Sequence, residues 1–202
     1  NESVDMTAEL GFTAHKKMVN AVLRRLTREG QKLISTQDEA RLNTPPWLWD
    51  SWTTAYGEDL CRQIAEAHAS EPPLDITVAQ DPEIWAKQLE AKALPTGSLR
   101  RATGGRVTEL PGFEEGTWWV QDAAAALPVT LLGDVKGKTV IDLCAAPGGK
   151  SAQLAALGAN VVAVDRSENR NKRLRANLAR LNLDVETVTA DAESWQPKEL
   201  AD

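Results

Sequence analysis

A chain of 202 residues, 42% of them hydrophobic, is long enough for one or two modest domains with cores of their own. Two cysteines, Cys61 and Cys144, exclude a disulfide framework; with no zinc-ligand spacing and no apolar run of membrane-spanning length, the expected compartment is a reducing cytoplasm, with no metal and no membrane contact. The net charge of −6 excludes a generally basic nucleic-acid binder but not a local basic face.

Met18, Val19, Val22, Leu23 and Leu26 recur at helical spacing and predict an amphipathic helix over roughly 13–30, ended by Gly30. Its outer face carries Lys16, Lys17, Arg24, Arg25, Arg28 and Lys32 against Glu29 alone. Such a stripe suits RNA phosphates, although many are merely solvated helix faces. Asn43-Thr44-Pro45-Pro46 marks a break. A second helical region runs from Trp47 to Ala69, interrupted at Gly57, with Leu60, Ile64 and Ala67 inward, and Glu71-Pro72-Pro73 stops it. Leu74 to Val78 alternates like an edge strand. Pro82 to Ala93 reads as a short helix with Ile84, Trp85 and Leu89 inward, and Thr96 to Glu109, with Gly104-Gly105 inside it, as a hairpin. Asp122 is placed to cap a helix over Ala123 to Leu132, and Gly133 to Lys138 turns into a sheet. Trp47, Trp49, Trp52, Trp85, Trp118 and Trp119 all lie in these first two thirds and are expected in packing rather than stacked on RNA bases.

From Thr139 to Asp191 the pattern changes to strand, small-residue turn, helix, strand, helix, strand. Val140 to Leu143 is apolar except for Asp142, and breaks into Cys144-Ala145-Ala146-Pro147-Gly148-Gly149-Lys150. A turn of that kind lets a ligand approach the backbone at a helix N-terminus. The second strand, 160–164, ends at Asp165, where a carboxylate can accept both hydroxyls of a ribose. The third, 185–190, ends at Asp191, near the place of the base. Leu174, Leu178 and Leu181 put the intervening helix on one face of the sheet. The region reads as a nucleoside-binding α/β half-domain.

The turn bears on which nucleoside. G-x-G-x-x-G does not fit its register, and a phosphate loop ending at Gly149-Lys150-Ser151 would need glycine where Cys144 stands. A ligand with ribose and base but no phosphate remains, of which S-adenosyl-L-methionine is the common one. A nucleotide-binding oxidoreductase with a diverged turn stays open.

Asp-Leu-Cys-Ala-Ala-Pro-Gly-Gly-Lys at 142–150 resembles the donor-binding motif of the ribosomal-RNA cytosine-C5 methyltransferases, the RsmB/Sun/Fmu group. Leu110 to Gly116 followed by Val120-Gln121-Asp122 is similar to the segment entering that family's catalytic domain, and Val19 to Leu26 resembles the last helix of its NusB-like domain. The resemblance implies a Rossmann-like S-adenosylmethionine-dependent methyltransferase half-domain over 133–202. It implies a small α+β linker domain over 37–132 before it, and a NusB-like RNA-binding helix over 1–36. Carried over by position, Cys144, Ala145, Ala146, Pro147, Gly148, Gly149 and Lys150 would line the methionine end of the donor. Asp165 would hold its ribose and Asp191 its adenine amino group, with Arg170 completing the set. Lys16, Lys17, Arg24, Arg25 and Arg28 would meet ribosomal RNA, with that of the small subunit expected, and a monomer is expected. Where the family carries Arg-Val-Asn, this chain has Ile76-Thr77-Val78-Ala79-Gln80 and so lacks that arginine; Arg100, Arg101 and Arg106 lie close in sequence.

Methylating cytosine at C5 requires a thiolate to add to C6 first, since C5 alone is a poor nucleophile. The family's Asp-Ala-Pro-Cys-like motif supplies it, and no Pro-Cys dipeptide occurs in these 202 residues. The chain is therefore expected to be a piece of a longer enzyme, with a donor pocket but with its nucleophile beyond Asp202, and inactive alone. Cys144 is expected to be a small, partly buried thiol and not the attacking one. Asp142 inside an apolar strand needs partners, with turn amides expected. A non-catalytic module that binds RNA or a partner on the same fold is the remaining alternative.

Overall fold

The computed structural model describes residues 2–102, 105–198 and 200–202. The chain divides into two compact units, 1–71 and 72–202, where the sequence suggested breaks after 36 and 132.

The first unit is helical: α1 (Glu2–Glu9), a 3-10 turn (Thr13–His15), α2 (Lys16–Ile34), α3 (Glu39–Leu42), α4 (Pro46–Tyr56) and α5 (Glu58–Ala69). α2 does not stop at Gly30. That glycine keeps helical backbone, and the good helix formers around it outweigh its cost of about 1 kcal/mol. No residue of α2 is buried, and Met18, Val22 and Leu26 stand exposed along it. Gly57, at φ 82°, separates α4 from α5 as expected. The inward face of α5 is rotated from the expected one. Cys61 and Ala65 pack against Ala40 and Trp49, while Leu60 and Ala67 are exposed, because only small side chains fit beneath the indole. Asp38 caps α3 and holds Arg62 by two bonds of 2.7 and 2.9 Å, and Arg41 and Arg62 both lie over the Trp49 ring.

The second unit opens with an antiparallel sheet in the order β2-β3-β1-β4, built from β1 (Leu74–Val78), β2 (Lys92–Ala93), β3 (Leu99–Arg101) and β4 (Trp118–Val120). Helix α6 (Pro82–Gln88) lies between β1 and β2 and is shorter than expected, because Glu90 takes a left-handed backbone and turns the chain into β2. The hairpin lies earlier than the glycine pair suggested: β2 and β3 are joined by the turn from Leu94 to Ser98, with Gly97 at φ 87°. Gly104 lies outside the described residues. β1 is not an edge strand but pairs on both sides. An acid inside a strand usually marks an edge, but the Asp75 carboxylate is buried and fully partnered. It accepts two bonds from Arg100, at 2.6 and 2.7 Å, and one from the Ala123 amide at 3.0 Å. Ile76, Leu89, Leu99 and Trp118 form the core of this layer. Trp49, Trp118 and Trp119 are buried as expected of packing residues, while Trp47 is exposed.

Asp122 caps α7 (Ala123–Leu131) through the amides of Ala124 and Ala125. A parallel sheet follows, β5 (Thr139–Leu143), β6 (Asn160–Asp165) and β7 (Glu186–Thr189), in the order β5-β6-β7, with α8 (Gly149–Ala156) and α9 (Glu168–Arg180) as crossovers. Ala152, Leu174 and Leu178 pack with Ala163, so both helices cover one face of the sheet. Across residue 132 a run of amides joins β4 to α8 and α7: Trp119 Nε1 donates to Gln121, Gln121 Nε2 to Gln153, and Gln153 Nε2 to the Ala126 carbonyl. The loop from Leu110 to Gly116 seats on the end of α9, where Arg180 donates to the carbonyls of Phe113 and Trp118 and lies 4.1 Å above the Phe113 ring.

Candidate nucleoside-donor site

The site is built at the C-terminal edge of the parallel sheet, the usual ligand position in open α/β sheets. After Leu143 the chain turns sharply. Cys144 adopts φ 61°, the Ala146–Pro147 peptide is cis, and Gly148 adopts φ 107° before α8 starts at Gly149. The Ala145 amide donates to the Val164 carbonyl at 3.0 Å and the Gly148 amide to Ala145 at 2.8 Å, which fixes the loop against β6. A Cβ on Gly148 would come within 3.1 Å of Leu174, so glycine is needed here for conformation and for space. Ala145, Ala146 and Gly148 are buried, Gly149 is half-buried, and Leu143, Cys144, Pro147 and Lys150 face solvent. The thiol of Cys144 is exposed, not partly buried as expected. Its left-handed backbone turns a residue that would otherwise continue the strand out of the packed layer.

Asp165, 2% exposed, accepts from the Ala146 amide at 3.2 Å, the Ser167 amide at 3.0 Å and the Arg170 guanidinium at 3.0 Å. Arg170 also donates to the Ala146 carbonyl, so this one side chain clamps the loop to the acid. Asp191 follows β7 on the neighbouring strand and is exposed; the Ala190 amide donates to the Asp165 carbonyl at 3.2 Å, and Asp191 itself accepts from the Glu193 amide. The structure thus brings Ala146, Asp165 and Arg170 into contact and sets Asp191 beside them, with the rest of the loop along the same edge.

Asp202 takes no part in this site. Its carboxylate accepts from the Thr139 amide at 2.8 Å and its own amide donates to the Thr139 carbonyl at 3.1 Å. Thr139 opens β5, so this pairing lies at the N-terminal end of the strand, opposite the loop of residues 144–150.

Asp142 is partnered by Ser151 through both its groups: the hydroxyl donates to it at 2.6 Å, and the Ser151 amide hydrogen-bonds it as well. Burial pushes its carboxyl above the ordinary value, opposed by that hydroxyl and the nearby Lys150 cation. A donor with a ribose diol fits this set. Its hydroxyls would take the place of the Arg170 donor on Asp165, and the exposed loop atoms and Lys150 are open to a carboxylate and ammonium end.

Three participants escaped the sequence reading. The Ser167 hydroxyl caps α9, Asn177 donates to the Pro147 carbonyl at 3.1 Å, and Asn171 joins β6 to β7. Asn171 left one signal in the sequence, a polar residue in register with Leu174, Leu178 and Leu181 on the buried stripe of α9.

The RNA candidates lie in the first unit, on exposed or half-exposed positions of α2. Lys16 pairs with Asp5 at 2.8 Å and Arg25 with Glu29 at 2.8 Å, whereas Lys17, Arg24 and Arg28 are open to solvent. Among the described residues no helix is long and apolar enough to cross a membrane, and no group of three or more His, Cys, Asp or Glu is placed to share a metal ion.

Residues 129–201 match the family described as 16S rRNA methyltransferase RsmB/F. The chain is similar to the ribosomal RNA small subunit methyltransferase B of Vibrio cholerae, at 35% identity over 96% of this chain and 49% of that protein. The Pseudomonas putida protein of the same name matches at the same identity and coverage. The chain spans about half the length of the curated relatives it matches. A methyltransferase homolog protein from Pyrococcus horikoshii superposes with a TM-score of 0.62 at 28% identity, covering 75% of this chain and 54% of that one. NSun6 from the same organism shares the fold, with a TM-score of 0.63 at 17% identity over 73% of this chain and 66% of that one. Residues 129–201 thus match the RsmB/F family of methyltransferases, and over nearly its whole length the chain is similar to the Vibrio cholerae and Pseudomonas putida proteins.

Proposed function

We propose that the protein is the donor-binding portion of a cytoplasmic S-adenosyl-L-methionine-dependent enzyme that forms 5-methylcytosine in small-subunit ribosomal RNA. The observation that carries this reading is the loop of residues 144–150, opening at the sheet's C-terminal edge beside Asp165, which ends β6, and Asp191, which follows β7. The bound donor supplies an electrophilic methyl group. Around it, Asp165 accepts from the ribose hydroxyls, Asp191 from the adenine amino group, and the amides at the start of α8 with Lys150 hold the methionine end. Arg170 changes partners when the ribose arrives and keeps its hold on the Ala146 carbonyl. The thiolate that adds to cytosine C6 is assigned to a cysteine other than Cys144, because Cys144 belongs to the loop that holds the donor. Lys17, Arg24 and Arg28 offer phosphate contacts to the RNA.

Titration calorimetry tests the reading. S-adenosylhomocysteine binds and NAD gives no response, and Asp165→Ala weakens S-adenosylhomocysteine by about 1.5–3 kcal/mol through loss of a charged acceptor. Binding of NAD in preference, or retained affinity in a folded Asp165→Ala variant, refutes it.

A further inference from the structure

Asn171 is a fully buried amide on the stripe of α9 that otherwise carries leucines. Its Nδ2 donates to three acceptors: the Asp165 carbonyl at 3.0 Å, the Val188 carbonyl at 3.3 Å and the Thr189 hydroxyl at 2.9 Å. Its Oδ1 is buried and accepts nothing. The Thr189 hydroxyl in turn donates to Glu168 at 2.8 Å, and Glu168 pairs with Arg175, so the link runs from inside the sheet to the surface of α9. A buried carbonyl oxygen without a donor costs stability, a cost that an apolar side chain would avoid only by withdrawing the donor from these three acceptors. A residue held at such a cost calls for an explanation beyond packing.

The geometry points to Asn171 as a positioning residue that sets the gap between the two acids of the nucleoside site. Its three acceptors belong to Asp165 itself and to the two residues that close β7, two positions before Asp191. A ligand that touches Asp165 with its ribose and Asp191 with its base is sensitive to that gap, because both contacts form together only at one separation. The methionine end, held by the loop and α8, is not. This inference rests on the donor-site reading above and goes beyond it by saying what fixes the spacing.

The test is Asn171→Leu in the intact protein, measured by thermal melting and by calorimetry with S-adenosylhomocysteine and with adenosine. The melting temperature is expected to change little: the unpartnered oxygen is gone and leucine favours a helix, which offsets the donor withdrawn from the Asp165, Val188 and Thr189 oxygens. Affinity for both ligands is expected to fall about tenfold, by the same factor, corresponding to one or two net hydrogen bonds. Thr189→Val, which removes one acceptor without changing shape, gives a smaller loss in the same direction and serves if leucine proves too large. A purely structural asparagine would give the opposite pattern, a lower melting temperature with ligand affinities intact, and would overturn the inference. Loss of S-adenosylhomocysteine affinity alone, with adenosine unchanged, overturns it as well, because the fault would then lie at the methionine end. If the unaltered protein binds neither ligand, the donor-site reading itself fails and the inference falls with it.

Discussion

Two adjacent glycines at the start of α8 are expected to respond to alanine in opposite ways. Gly148 sits at φ 107°, and a Cβ there lies 3.1 Å from Cδ1 of Leu174, a fully buried side chain with little room to move. The left-handed backbone costs an L-residue about 1–2 kcal/mol, and forcing one methyl into a packed site adds about 1 kcal/mol or more. Gly148→Ala should therefore lose about 2–4 kcal/mol, lowering the melting temperature by about 6–12 °C for a unit of this size. Gly149 has no left-handed backbone, and its added Cβ meets Gln121 at 3.6 Å, an ordinary contact. Gly149→Ala should be neutral or gain up to about 1 kcal/mol through helix propensity and a less flexible unfolded chain. Differential scanning calorimetry of the two variants separates them. Equal shifts, or a larger loss at Gly149, would refute the reasoning that conformation and the Leu174 contact, not glycine content, define this loop.

Gly116→Ala should be more damaging than Gly148→Ala, because its Cβ would fall 1.9 Å from the Arg180 backbone carbonyl at φ 68°, a clash no rotamer relieves. A cooperative near-ultraviolet melt with normal tryptophan signal from this variant would contradict it. Asp142→Asn should raise stability at neutral pH while keeping an acceptor for Ser151. Burial holds the folded carboxyl above its unfolded value, so its ionisation costs stability as pH rises through that window. The gain should vanish as pH falls below the ordinary carboxylate range, and urea titrations at several pH values check the sign. Replacing Arg24, Arg25 and Arg28 with glutamine should reduce the salt slope of RNA binding by up to about 0.7–0.9 for each phosphate no longer neutralised. Donor affinity should stay unchanged. An unchanged slope would remove α2 from the RNA interface.

What the sequence makes legible here is what local chemistry decides. The acid at Asp122 caps a helix because nothing else competes for it, Gly57 breaks one because only glycine takes its backbone, and the parallel strands β5 and β6 show as mostly apolar runs, the second ending at Asp165. Long-range pairing is what hides the rest. Asp75 looks like an edge-strand residue until Arg100 and the Ala123 amide, 25 and 48 residues away, are brought to it. In the candidate site the loop and both acids could be named in advance, whereas the exposure of Cys144 depends on one backbone angle. That Arg170 would clamp Asp165 to the loop, and that Asn171 would join two strands, follows only once α9 is laid across the sheet. The pairing of Asp202 with Thr139, 63 residues apart, is equally invisible to local chemistry.

The run of amides from Trp119 through Gln121 and Gln153 to Ala126 has a direction: each group gives a proton to the next, and each glutamine uses both ends of its amide. Neither glutamine can flip alone without setting donor against donor. The antiparallel sheet, α7 and α8 are thereby made one cooperative folding element. Hybrid proteins made by exchanging sequence at residue 132 would part Trp119 and Gln121 from Gln153, and would inherit a mismatch unless these three side chains travel together.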